Sequence, residues 1–109
     1  MTAPARFTLD TLIALIETRA LSAVDRSYTR QLLDAGPPRV AKKFGEEAIE
    51  LVIATLGGKR PEIVAEAADV IYHLLVLLQA SGVHLDHVVE ELGRRTRQSG
   101  LDEKASRPA

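Results

Sequence analysis

Five carboxylates stand in two short clusters, Glu46-Glu47-x-x-Glu50 and Glu66-x-x-Asp69, among alanine and aliphatic residues that a fold would bury. At about 100° per residue, Glu47 and Glu50 fall one turn apart on one face of a helix, and Glu66 and Asp69 do the same on a second. Two such pairs facing each other make an oxygen cage for a hard divalent cation. Mg²⁺ keeps several waters and favours carboxylates together with substrate phosphates, so the chemistry expected of this pattern is phosphoryl or pyrophosphoryl transfer.

The elements that would position these acids read as helices throughout, because apolar residues recur at three and four positions and breaks fall at Gly and Pro. A first helix runs from a Thr8 cap through Leu12 and Ile16 to about Leu21, with Asp10 near its N-terminal dipole. Ser27 caps a short second helix that ends before Gly36. Pro37 and Pro38 open a long third helix that stops at Gly57-Gly58 and carries the first acidic cluster. Pro61 opens a fourth, to about Ala80, that carries the second. Leu85, Val88, Val89 and Leu92 mark a fifth, and the tail from Gln98 to Ala109 is polar. The expected fold is an all-α bundle of about five helices in a single domain, with a core over residues 8–97.

Helices three and four are too apolar for a monomer of 109 residues. Relative to Glu47, Val40, Phe44, Ala48 and Leu51 fall on one flank, and Ile49, Ile53 and Leu56 on nearly the opposite side. A second apolar face calls for a second partner, so a homodimer completing a four-helix core, or a higher homo-oligomer, is expected.

Composition excludes several classes of function. A formal net charge of −1 gives no reason to expect a nucleic-acid partner, although Arg94, Arg95 and Arg97 make a local basic patch. The absence of cysteine removes thiolate zinc sites and a cysteine nucleophile, leaving oxygen and histidine to hold any metal. The first residues lack the apolar stretch of a secretory signal, and the aliphatic run Leu74 to Leu78 is too short to span a bilayer; a cytoplasmic protein without membrane contact is expected.

Two readings of the acids compete. On the first they are solvated residues paired with cations one turn away. This suits Glu46, with Lys42 four positions back, and Glu47, with Lys43. Glu50, Glu66 and Asp69 have no cation at either neighbouring turn. On the second they are metal ligands: Lys43, Glu47, Glu50 and Ala54 form one stripe, Glu62, Glu66, Asp69 and His73 another, and two acidic stripes face to face are costly without a cation between them. Gly45, in mid-helix, suits either close approach of a ligand or a tight helix contact.

In these residues the chain resembles the all-α, MazG-like nucleoside triphosphate pyrophosphohydrolase superfamily, which binds Mg²⁺ through such acids. Within it the chain is more similar to the phosphoribosyl-ATP pyrophosphatase family of histidine biosynthesis. The resemblance rests on Ser27-Tyr28-Thr29 followed by Leu32-Leu33 and Gly36, on Lys43-Phe44-Gly45-Glu46-Glu47-Ala48, and on Glu66-Ala67-Ala68-Asp69-Val70-Ile71-Tyr72-His73-Leu74-Leu75. It extends to Ser99-Gly100-Leu101-Asp102-Glu103-Lys104-Ala105, and departs at Val24-Asp25-Arg26, where many members carry a proline. Many members are fused to a zinc cyclohydrolase; this chain has neither the length nor the cysteines for that half.

The resemblance implies hydrolysis of phosphoribosyl-ATP to phosphoribosyl-AMP and pyrophosphate, with Glu47, Glu50, Glu66 and Asp69 as Mg²⁺ ligands. Glu46 is the candidate to orient or deprotonate the attacking water, a role that Glu47 or Glu50 could share. Lys43 either reaches a phosphate or pairs with Glu47. Ser27, Tyr28 and Thr29 are candidates for contact with the ribose phosphate or base, with Ser27 alternatively a plain helix cap. Arg94 is either a ligand for the 5'-phosphate or part of a solvated basic helix end. His73 either supports Asp69 from behind or is a satisfied core histidine. Two further functions remain to be separated from this one: a general pyrophosphatase of surplus nucleoside triphosphates, and a non-catalytic helical dimerisation module.

Overall fold

The computed structural model describes residues 6–21 and 27–97, and everything regular among them is helical. The five helices are α1 Leu9–Ala20, α2 Tyr28–Ala35, α3 Pro37–Gly57, α4 Arg60–Ala80 and α5 Leu85–Thr96. The Val24-Asp25-Arg26 segment and the tail from residue 98 onward, including the Ser99 to Ala105 similarity, lie outside the described residues.

The boundaries follow local chemistry. Thr8 accepts a hydrogen bond from the Thr11 amide at 3.1 Å while its own amide donates to Thr11 Oγ1 at 3.4 Å, a reciprocal cap of α1. Gly36 turns the chain between α2 and α3 at φ +92°, which a side chain would resist, and Pro37 then occupies the first position of α3, where no amide hydrogen is needed. Gly58 ends α3 in the left-handed region at φ +74° with its N–H bonded to the Ala54 carbonyl. Lys59 alone separates Gly58 from α4, so α3 and α4 form an antiparallel hairpin about 30 Å long.

This hairpin is the principal packing of the fold, with α2 against both of its arms and α1 against α2 and α4. Ile16, Leu32, Val40, Leu75 and Val76 form the buried core, with Leu12, Ile13, Leu33, Tyr72, Leu77, Ala80 and Leu85 packed around it. The core therefore occupies the end of the hairpin made by the start of α3 and the finish of α4. Toward the Gly58 turn the hairpin has no such cover: Ile49, Val52, Ile53 and Leu56 on α3 are 62%, 59%, 63% and 83% exposed, and Val64 on α4 is exposed as well. Their spacing of three, four and seven is that of one apolar helix face.

Two expectations are sharpened by the structure. A Cβ placed on Gly45 would meet nothing within 4 Å, so this glycine does not serve a tight helix contact within the chain. α4, 21 residues long, contains an 18-residue window of mean hydropathy 1.6 and so is long and apolar enough to cross a bilayer by length and composition, which the Leu74 to Leu78 run alone did not suggest. Yet Glu62, Glu66, Asp69 and His73 stud that helix, and its N-terminal half lies along the acidic face of α3. Groups of that kind are expensive in lipid, and they argue against a membrane span.

Candidate active site

The antiparallel register of the hairpin brings the two acidic clusters together at the boundary between its covered and uncovered halves. One carboxylate oxygen each from Glu47, Glu66 and Asp69 lies within 4.8 Å of the other two. Glu47 is 6% exposed, so its charge is withdrawn from water, and Glu66 Oε2 is buried without any hydrogen-bond partner. A carboxylate with one buried, orphaned oxygen, set beside two other carboxylates, is costly unless a cation completes it. The donor set is all oxygen, which fits a hard divalent ion.

Glu50 stands outside this tightest group but beside it. The charge of Glu47 foremost, then burial and the charge of Glu66, hold the Glu50 carboxyl above its ordinary value, with Lys43 acting in the opposite direction. The like-charge crowding expected from the two stripes is thus present, and it falls on an exposed member.

Lys43 resolves toward pairing. Its Nζ lies 3.1 Å from Glu47 Oε1 and 3.9 Å from Glu46 Oε2, and the Glu47 hydrogen bond foremost raises its pKa above the ordinary lysine value. Lys42, expected as a partner for Glu46, makes no ion pair among the described residues, and Glu46 remains half exposed at the rim. Both lysines line, with Arg39 and Glu46, an open cavity of about 250 Å³. On the other flank of the carboxylates a cavity of about 230 Å³ is lined by Glu50, Ile53, Ala54, Glu62 and Glu66.

The Ser27-Tyr28-Thr29 segment divides into three roles. Ser27 Oγ accepts from the Arg30 amide at 3.4 Å and caps α2. Thr29 is fully buried and hydrogen-bonded through its hydroxyl to the Tyr72 hydroxyl, inside the fold. Tyr28 is the exposed member, its ring stacked on Tyr72 with centroids 6.2 Å apart. Burial pushes the Tyr28 phenol up, Lys43 opposes this, and Tyr72, Glu47 and Asp69 add to it, so the hydroxyl keeps its hydrogen. Those same partners place Tyr28 at the edge of the carboxylates.

His73 belongs to this support. Its Nδ1 lies 2.7 Å from the Asp69 carbonyl oxygen and its Nε2 3.0 Å from the Tyr28 hydroxyl. A carbonyl only accepts, so Nδ1 carries the hydrogen and, in the neutral ring, Nε2 accepts from Tyr28. The buried ring thereby ties the turn bearing Asp69 to α2. Arg94 lines neither of the two cavities beside the carboxylates: its Nε and Nη2 donate to Glu91 at 3.0 and 2.6 Å, and with Arg95 it lowers the Glu91 carboxyl to about 2.

Comparison with known proteins bears on the same residues. The family profile described as phosphoribosyl-ATP pyrophosphohydrolase matches residues 9–96, a span that contains every group named above. The chain is similar to "Phosphoribosyl-ATP pyrophosphatase 1" of Rhodopseudomonas palustris, 53% identical over 103 residues covering 94% of this chain and 96% of that one. It is also similar to the protein of the same name from Bradyrhizobium diazoefficiens, 53% identical over 102 residues with 94% and 96% covered. The "Phosphoribosyl-ATP pyrophosphatase" of Methylobacterium nodulans is 52% identical over 101 residues, covering 93% of this chain and 94% of that one.

Proposed function

The chain belongs to the phosphoribosyl-ATP pyrophosphohydrolase family, and from that premise we propose that it hydrolyses phosphoribosyl-ATP to phosphoribosyl-AMP and pyrophosphate, the second step of histidine biosynthesis. The observation that carries the assignment of the site is the meeting of carboxylate oxygens from Glu47, Glu66 and Asp69, together with the buried, unpartnered Oε2 of Glu66. Glu47, Glu66 and Asp69, with Glu50 alongside, are the residues that would hold Mg²⁺. Bound there, the ion supplies neutralisation of phosphate oxygens as negative charge develops on the departing pyrophosphate.

The chain's own groups account for the rest. Lys43 keeps the buried Glu47 paired and presents its ammonium to the cavity where phosphates enter. Glu46, exposed at the mouth of that cavity, orients the water and takes its proton. The water oxygen bonds to the α-phosphorus, the bond from that phosphorus to the bridging oxygen breaks, and its electron pair leaves with pyrophosphate. Tyr28, fixed by His73 and Tyr72, supplies a rigid aromatic wall beside Lys43 and the carboxylates.

The functional unit in this reading is a cytoplasmic homodimer. It is supported by the exposed row Ile49, Val52, Ile53 and Leu56, too apolar to face water and continuous with the uncovered half of α4. The experiment that tests the function is product analysis with purified protein: phosphoribosyl-ATP should give pyrophosphate and phosphoribosyl-AMP in equal amounts, and Glu66→Gln should abolish both products while leaving the helical signal intact. Release of orthophosphate in place of pyrophosphate would overturn the assignment.

A further inference from the structure

Arg39 and Lys42 take no part in the groups described so far, although they lie one and two turns before the carboxylates on the same helix. Neither makes an ion pair or side-chain hydrogen bond among the described residues, and both are exposed into the cavity of about 250 Å³ that they share with Lys43 and Glu46. Along α3 the side chains thus change sign within a few turns: Arg39, Lys42 and Lys43 first, then Glu46, Glu47 and Glu50. Unpaired like charges held together by one helix are not a stabilising arrangement for the folded chain, since like charges three and four residues apart repel.

The backbone does not explain the cluster. Pro37 and Pro38 have no amide hydrogen, and the amides of Arg39 and Val40 both bond to the Gly36 carbonyl, at 3.1 and 3.2 Å. The start of α3 therefore offers few free donors to an anion, and attraction for one must come from the side chains. Resting on the reading of the carboxylates given above, we infer that Arg39 and Lys42, together with Lys43, form the seat of the pyrophosphate half of the substrate, the two phosphates that leave.

The placement decides between the substrate's two anionic ends. Lys43 is bonded to Glu47 itself, so the cavity begins within one helical turn, about 5 Å, of the metal-holding carboxylates. Phosphates adjoining the reacting one stay within that reach, whereas the 5'-phosphate on the second ribose lies beyond the base. Three cations also match a leaving group that gains charge as its bond to the α-phosphorus breaks, and they bind it without competing for the metal. Glu46 on the same cavity wall sets a limit on where the anion rests, toward Arg39 and away from the water.

The test is binding of inorganic pyrophosphate, measured by calorimetry at fixed MgCl2, to the wild-type protein and to the Arg39→Ala/Lys42→Ala variant. Affinity should fall by at least about tenfold, as expected for loss of charge-assisted contacts. Product inhibition by pyrophosphate should weaken in parallel, inhibition by ribose 5-phosphate should not change, and Arg39→Lys/Lys42→Arg should retain most of the affinity. Both residues are exposed, so the fold should survive; Arg39→Gln and Lys42→Gln singly carry the same comparison if the double variant folds poorly. Pyrophosphate binding unchanged in the variants would overturn the inference, and so would weakened ribose 5-phosphate inhibition with pyrophosphate binding intact. A wild-type protein that binds pyrophosphate through these residues but leaves phosphoribosyl-ATP uncleaved would instead remove the functional reading on which the inference rests.

Discussion

Lys43 Nζ stands 3.1 Å from Glu47 Oε1, an ammonium 37% exposed joined to a carboxylate only 8% exposed. The pair marks where the open cavity meets the clustered carboxylates. Its two consequences run in opposite directions. Lys43→Met should lower kcat/KM by at least about tenfold, through loss of a charge beside the phosphates. The same change removes a competing cation from Glu47, so calorimetry should record tighter binding of Mg²⁺ to the free protein. Weaker Mg²⁺ binding in the variant would mean that Lys43 organises the acids and does not merely neutralise one of them.

The crowding around Glu50 makes stability depend on pH with an unusual sign. Its folded pKa lies above the ordinary value of 4.5, chiefly because of the Glu47 charge. The folded state then holds a proton that the unfolded state has released, so stability without divalent cation falls as pH rises from about 4.5 through the raised Glu50 range. Thermal unfolding in EDTA should show a downward slope there that Glu50→Gln lessens and saturating Mg²⁺ removes. An upward slope lost in Glu50→Gln would contradict the arrangement.

His73 ties α4 to α2 from a buried position, donating to the Asp69 carbonyl and accepting from Tyr28. His73→Ala should cost about 2–4 kcal/mol, a cavity plus two lost hydrogen bonds. Tyr28→Phe, removing only one bond at a half-exposed hydroxyl, should cost about 1 kcal/mol or less. Urea denaturation midpoints at constant slope provide the comparison, and equal losses for the two variants would show that the histidine is not the hub.

The row Ile49, Val52, Ile53 and Leu56 should be covered in solution. Light scattering is expected to record the mass of two chains for the wild-type protein and of one for Ile53→Asp/Leu56→Asp, with helical content retained. A wild-type protein that runs as a monomer at micromolar concentration would leave that face without an occupant.

Much of this was legible because the signals are local. Thr8, Ser27, Gly36-Pro37-Pro38, Gly58 and Pro61 mark helix ends through their own backbone preferences, and the observed ends fall within a residue or so of those marks. The meeting of Glu47 with Glu66 and Asp69 followed from helical spacing and one short turn. What spacing could not reveal was depth. A helical wheel puts Glu50 on the stripe of Glu47 but does not say that Glu47 is buried while Glu50 is not. Lys42 and Lys43 are each four residues before a glutamate, and burial of Glu47 makes its pairing the one that forms. Thr29 was indistinguishable from its neighbours as a ligand until the rotation of α2 placed its hydroxyl on Tyr72. His84 caps α5 by accepting from the Asp86 amide at 3.2 Å, a role that histidine rarely takes and that residue type therefore does not announce.

On the proposed reading, the carboxylates of α3 and α4 form a metal-dependent site for phosphoribosyl-ATP. Pyrophosphate release should be measured from phosphoribosyl-ATP and from a panel of ordinary triphosphates, each with and without Mg²⁺. The account predicts rapid release from phosphoribosyl-ATP alone, lost on removal of Mg²⁺ and lost in Glu66→Gln. Faster turnover of dUTP or dCTP than of phosphoribosyl-ATP, or undiminished release in EDTA, would contradict it.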